Sequence, residues 1–176
     1  FKGFHMKTRF IKDRRGSTAV EFAMLAMPFL WLVIGMVELS IYFATSSLMA
    51  EASNVGARMV RTGQMQNVSH PEQAFRQAVC DRAAVFVACN KIQFQVTHVS
   101  DDNFASASNY QTAFDAQGNL KNQGFDDGGQ SSVIIVRLAY RYPFMTPLIG
   151  SLLSDGPNTT KLIVNTIVMK NEPYDF

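Results

Sequence analysis

Hydrophobic and polar residues follow three different patterns along the chain. From Phe22 to Leu39 the sequence reads FAMLAMPFLWLVIGMVEL, broken only by Glu38, and apolar character resumes through Ala50. A second stretch places Phe75, Val79, Ala83 and Phe86 at helical spacing, which predicts one apolar face packed in a core. Further on the period drops to two. It does so in IQFQVTHV (92–99), in SVIIVRLAYRY (132–142) and in KLIVNTIVM (161–169), each of which reads as a strand. In the second of these, Ile134, Val136, Leu138, Tyr140 and Tyr142 share a face, with Arg137 and Arg141 on the other. His98 falls on the apolar face of the first strand and reads as a structural histidine.

The punctuation between these runs sets the elements. The first helix is expected to run on past its apolar part to Thr62, a length of ~67 Å from Thr18 at 1.5 Å per residue, with Gly63 as its C′ residue. Pro28 should loosen one backbone hydrogen bond or kink it. Ser69-His70-Pro71-Glu72 reads as a capping box with proline in the first turn, opening a second helix. TPLIGSLLSDG reads as a short amphipathic helix from Thr146-Pro147, closed by Gly156. Residues 100–131, rich in Asn, Asp, Gln, Ser and Gly, read as a long exposed loop with an edge strand around Tyr110 to Phe114. The fold class is α+β: a long N-terminal helix, then a small antiparallel sheet packed on helices. Three segments follow: a basic leader (1–16), a long helix that is transmembrane in its first half (17–62), and an outer α+β domain (63–176). Met6 reads as a natural start, so residues 1–5 are left out of fold reasoning.

Charge gives the first helix a direction. The run is long enough to cross ~30 Å of hydrocarbon. Residues 1–16 hold six basic side chains against one acidic, while the remainder holds ten basic against thirteen acidic. Lys7, Arg9, Lys12, Arg14 and Arg15 stand directly before the run, so the positive-inside bias places the N-terminus in the cytoplasm and the C-terminal domain in the periplasm. A mildly acidic outer part argues against nucleic-acid binding. Two alternatives compete for the run: a Sec signal peptide cut at SLMAEA, and an uncleaved signal anchor. The run is about twice the usual ~7–15-residue signal core, and Leu48 stands where a cleavage site wants a small residue. Glu38 is expected at the membrane interface, beyond an apolar span ending near Met36.

Neither alternative accounts for Glu21, a carboxylate at the doorstep of the apolar run. An acid within a bilayer costs ~2.5–3.5 kcal/mol at the centre and less near the edge. If the chain is cut after Gly16, Ser17 gains a free amine, and the Glu21 carboxylate of one copy can pair with the amine of the next. Such pairing fixes register more than it adds stability.

Arg14-Arg15-Gly16 / Ser17-Thr18-Ala19-Val20-Glu21-Phe22 resembles the class III signal of type IV pilin-like proteins. GARMVRTGQ (56–64) and VNTIVMKNEPYDF (164–176) are similar to the ends of the TadE-like pseudopilins of the tight-adherence (Tad/Flp) pilus. The matching positions are Arg58, Arg61, Thr62 and Gly63, then Asn171, Glu172 and Pro173; Lys170 and Tyr174 replace an Arg and a Phe. The resemblance implies processing between Gly16 and Ser17 by a membrane prepilin peptidase, with Lys12, Arg14 and Arg15 as leader charges. It implies an assembly contact through Glu21 and Phe22, and a minor pilin that supports pilus initiation, adhesion and biofilm formation. The implied partners are the prepilin peptidase, a major Flp-type pilin and other minor pilins, the inner-membrane assembly platform, and membrane lipid. Ser17 stands where the wider pilin family has an aromatic residue.

Candidate chemistry changes this picture little. Cys80 and Cys89 face an oxidising compartment, so a disulfide is the default, with two free buried thiols as the alternative. On a continuous helix they would lie ~13.5 Å apart, so a bridge needs the helix to stop or turn between Arg82 and Ala88. Two cysteines with no nearby histidine make a poor zinc site, and Asp101-Asp102 and Asp126-Asp127-Gly128-Gly129 lack a calcium-loop spacing. His5, His70 and His98 belong to no recognisable catalytic arrangement. The expectation is a non-enzymatic chain with no cofactor and no metal.

Overall fold

A computed structural model describes residues 16–116, 118–156 and 158–174. The leader residues Lys12, Arg14 and Arg15 lie outside the described residues. The chain divides into two compact units, one running through Glu38 and one from Leu39 onward.

The first helix, α1 (Ser17–Arg61), is 45 residues long and passes through Pro28 without losing its helical state. Proline has no N–H, so the Met24 carbonyl one turn earlier forgoes that bond. At the other end Gly63 adopts φ +70°, the left-handed conformation that glycine takes at little cost. The Gly63 N–H then donates to the Val60 carbonyl at 3.1 Å, and the Gln64 N–H to the Met59 carbonyl at 3.1 Å. These two bonds form a Schellman cap with Gly63 at C′, as the sequence suggested.

The second helix, α2 (Pro71–Ala83), starts differently from the expectation. Its N-cap is His70 rather than Ser69, Pro71 occupies the first turn, and no side chain caps the N-terminus. Phe75, Val79 and Ala83 are buried as predicted. Phe86 is not: the helix ends at Ala83, the following turn carries Phe86 off the helical face, and its ring is half exposed. That turn lets Cys80 and Cys89 meet in a disulfide with their Cα atoms 5.4 Å apart. Gly56 of α1 faces α2 closely; a Cβ there would stand 2.6 Å from the Phe75 ring.

Four strands form one sheet in the order β2-β1-β3-β4: β1 (Gln93–His98), β2 (Gly124–Phe125), β3 (Val133–Pro143) and β4 (Thr160–Lys170). The β1–β3 and β3–β4 pairs are antiparallel, but β2 joins β1 in parallel, so the sheet is mixed rather than wholly antiparallel. The cause is the long connection from β1, which carries the chain back before Gly124 pairs with Gln95. Between β3 and β4 lies α3 (Pro147–Leu153), which ends at a Ser154 C-cap, short of Gly156.

The two sheet faces have different covers. Ile134, Val136, Leu138, Tyr140 and Tyr142 join Met49, Ala52, Val60, Phe75 and Val79 in the main core. On the other face Val133 and Ile135 pack with Val99, Ala107 and Tyr110. Residues 100–123 are therefore not merely an exposed loop, since part of them covers the second face. They contain a 3-10 turn (Phe104–Asn109) and one bridge between Phe114 and Leu120, while the edge strand falls at 124–125 instead of 110–114. Two arginines hold this cover. The buried Arg137 guanidinium donates to the Tyr110 carbonyl and, at 3.0 Å, to Gln95 Oε1; Arg141 Nε donates to the Gly118 carbonyl at 3.0 Å. Burial pulls the Arg137 pKa below its ordinary value. Asp102 Oδ1 accepts the Val133 N–H at 2.9 Å and stands 2.9 Å from His98 Nε2. Those two hydrogen bonds, the backbone one first, hold its carboxyl below the usual carboxylate range.

Candidate functional site

The first unit opens where the resemblance places processing. Gly16 precedes α1, and a Cβ built on it meets nothing within 4 Å. Ser17 begins the helix, and its hydroxyl donates to Glu21 Oε1 at 3.0 Å. Residues i and i+4 share a helix face, so Glu21 lies one turn beyond Ser17 on the same face. The serine answers part of what the sequence left open. One oxygen of Glu21 has a partner within its own chain, and both residues remain exposed.

From Phe22 to Leu32 the helix is apolar on every face and largely exposed. Phe22, Met24, Leu25, Met27, Phe29, Leu30, Trp31 and Leu32 are all exposed. A helix that is hydrophobic all round belongs in lipid or among other helices. It is the one helix among the described residues long and apolar enough to cross a membrane, with a mean hydropathy of 2.1 over its best window. Glu38 is buried, at 5% exposure.

The second unit brings together the two stretches that carried the remainder of the resemblance. Arg61, at the end of α1, makes a forked bond to Glu172 Oε1, Nε at 3.1 Å and Nη2 at 2.9 Å. The Glu172 N–H returns to the Arg61 carbonyl at 2.9 Å. The Tyr174 ring lies against Gly63, where a Cβ would approach to 2.8 Å. Asn171 is buried. Its backbone N–H bonds the Ser132 carbonyl, and its amide Nδ2 reaches the Asp127 and Gly129 carbonyls, all at 2.9 Å. Gln66 completes the cluster with bonds to Asp127 Oδ2 at 3.0 Å and to the Gly128 carbonyl at 2.9 Å. Thr62 Oγ1 bonds back to the Arg58 carbonyl at 3.0 Å; the Arg58 side chain is exposed, as is Pro173. This arrangement fastens the C-terminal segment to the end of the long helix. Burial pushes the Asp127 carboxyl above its usual range, and burial first, then Asp127, does the same to the Tyr174 hydroxyl.

Sequence reasoning did not assign Gln66, nor Asp127 to this cluster. The signal was present only as a glycine-flanked Asp pair and a Gln three residues past a helix cap, neither of which predicts a partner. The aspartates weighed as calcium ligands act as turn caps: Asp101 accepts the Asn103 N–H and the Ser106 hydroxyl, and Asp126 accepts the Gly128 N–H.

Comparison with known proteins bears on the first helix. No curated protein and no solved structure matches the chain. Residues 16–58 match the family model described as TadE-like protein, a stretch that holds Gly16, Ser17, Glu21, Phe22 and Arg58 and stops before Arg61. From Gly16 to Arg58, then, this chain is similar to TadE-like proteins.

Proposed function

We propose that the chain is a minor pilin, or pseudopilin, of a Tad (Flp) pilus, and that a prepilin peptidase cuts it between Gly16 and Ser17. One observation carries the reading: the TadE-like match covers a segment in which an exposed glycine and a helix-start glutamate precede a bare apolar helix. The helix holds the precursor in the inner membrane, with the N-terminus inside and the second unit in the periplasm. After cutting, the Ser17 amine and the Glu21 carboxylate of neighbouring copies or of other pilins form the subunit contact, with Phe22 beside it. The partners are the peptidase, the major Flp-type pilin, other minor pilins and the inner-membrane assembly platform. The role is initiation or assembly of the filament, and through it adhesion and biofilm formation. No catalytic step, cofactor or metal is assigned to the chain.

Mass spectrometry of the N-terminus tests this. Coexpression with a Tad-type prepilin peptidase should yield a chain beginning at Ser17, and Gly16→Arg should leave the leader attached. A wild-type chain that keeps its leader under those conditions would favour an uncleaved membrane-anchored domain instead.

A further inference from the structure

The two edges of the sheet are unlike. At one edge β2 has only two residues. At the other β4 has eleven, and it pairs with β3 alone. A long open edge is a template for another strand, and folded chains blunt such edges with proline, charge, bulges or brevity. The middle of β4 has none of these. Its register with β3 runs unbroken from Thr160 to Lys170, and LIVNTIVM (162–169) holds no charge and no proline. Within the strand, charge stands only near its ends, in Lys161 and Lys170.

Successive residues of an antiparallel strand turn their backbone groups alternately toward the partner strand and away from it. The bonds at both ends of β4 fix which residues do which. The Leu162 N–H donates to Asp155 Oδ1 at 3.0 Å, and the Thr160 carbonyl accepts the Asp155 and Gly156 N–H groups at 3.1 and 3.2 Å, so even-numbered residues point off the sheet. Odd-numbered Asn171 points inward, its N–H donating to the Ser132 carbonyl at 2.9 Å. Val164, Thr166 and Val168 therefore hold their N–H and C=O groups at the open edge. Among the described residues, no backbone bond outside the β3–β4 ladder uses those groups. The three side chains are exposed as well, Val164 at 37% and Val168 at 41%.

The order of residues along this edge selects its occupant. Laid antiparallel on a second copy about a twofold axis at Thr166, the edge sets Val164 opposite Val168, Thr166 opposite Thr166, and Val168 opposite Val164. All three positions face outward, so each opposed pair exchanges both backbone bonds, about six in all. A Thr–Thr pair is a favourable cross-strand neighbour. Lys170 then stands opposite Leu162 of the second copy, beside the Asp155 carboxylate that holds the Leu162 N–H and also meets Lys161 at 3.4 Å. Lys161 falls opposite Asn171, so no like charges are opposed. We propose that β4 is a strand-addition edge for a second copy of this chain, which joins two outer units into one continuous sheet through Val164, Thr166 and Val168. The contact needs neither cutting at Gly16 nor pairing at Glu21, so it stands or falls apart from the pilin reading.

Cysteine crosslinking of the full-length chain in detergent, with copper–phenanthroline and air as oxidant, tests it. The chain's two cysteines are bridged to each other, so an introduced thiol has only its counterpart to meet. Thr166→Cys should give a disulfide-linked dimer on a non-reducing gel, because the opposed Cα atoms lie about 5.5 Å apart. Val164→Cys alone should stay monomeric, since its counterpart lies four residues along, about 13 Å away. Val168→Cys alone should do the same, while both changes in one chain should restore the dimer. Val168→Pro removes an outward N–H and none that bonds β3, so in the Thr166→Cys background it should keep the fold and abolish the dimer. Val168→Lys, at an exposed position, should give the same loss with every N–H kept. No dimer at 166 overturns the proposal. Equal dimer at 164, 166 and 168 overturns it as random collision. A dimer at 166 that survives both Val168→Pro and Val168→Lys overturns a contact through this edge.

Discussion

Met24 and Met49 lie on one helix and meet opposite conditions: Met24 is 73% exposed and Met49 is 0%. From Phe22 to Leu32, α1 offers large apolar side chains that are exposed. From Leu39 onward it supplies the same kinds of side chain to a packed core of helices and sheet. One continuous helix thus carries both exposed and buried apolar side chains. Those of its second part pack against Phe75, Leu138 and their neighbours. The contrast means that changes in the second unit should register as stability, whereas changes in the first should register in processing and assembly.

The largest stability effect is expected where α1 and α2 touch. Phe75 is fully buried between Gly56, Phe94 and Phe125, with ring centroids 5.1 and 5.5 Å away for the two phenylalanines. Phe75→Ala should cost about 3–5 kcal/mol in denaturant unfolding of the outer unit. Removing the disulfide with Cys80→Ser and Cys89→Ser together should cost about 2–3 kcal/mol, since the closed loop is short. A larger loss there would mean that the 84–88 turn holds more of the core than its exposed Val85 and Phe86 suggest.

Smaller effects are expected around the C-terminal fastening. Arg61 and Glu172 are each about half exposed, so Glu172→Ala should cost ~0.2–1 kcal/mol, and less as salt is raised. Asp127 provides a pH-dependent companion. Burial raises its carboxyl pKa, so the folded state holds the proton more tightly than the unfolded state does. Its charged form therefore weighs against folding: the penalty is absent well below the ordinary carboxylate range, grows as pH rises through that range to the raised value, and is constant above. Asp127→Asn keeps an oxygen for Gln66, and its stability relative to wild type should improve over that rise. A flat difference across acid titrations would show that Gln66 stabilises the carboxylate as fully as water does.

Much of this architecture could be read directly. The long helix and its Gly63 terminus, all three long strands and the buried face of α2 follow from period and punctuation, which report local geometry. What escaped the pattern was non-local. Arg137 and Arg141 alternate with apolar residues just as solvent-facing residues do, yet a returning segment covers them and takes their hydrogen bonds through backbone carbonyls. Backbone acceptors carry no side-chain signature, so neither the cover nor the parallel strand at 124–125 could be seen in advance. The fastening of Arg61 to Glu172 was invisible because the pair is far apart in sequence. Both residues were singled out through a resemblance, but their contact spans 111 positions. The Ser17–Glu21 bond was legible as helical spacing, and its proposed consequence concerns other copies of the chain.

That consequence gives the smallest expected change in stability and the sharpest separation of the two units. Glu21→Ala removes one exposed hydrogen bond in the first unit and nothing from the packed core, so the unfolding free energy of the outer unit should stay within measurement error. Cutting after Gly16 should also continue, because the change leaves the glycine and the leader charges intact. Pilus assembly should fail, since the amine created at Ser17 would have no carboxylate to meet on a neighbouring copy. Glu21→Gln separates the remaining possibilities: it preserves an acceptor for the Ser17 hydroxyl while removing the charge. If Gln restores piliation, the bond to Ser17 is what assembly needs; if it fails alongside Ala, the charge itself is required.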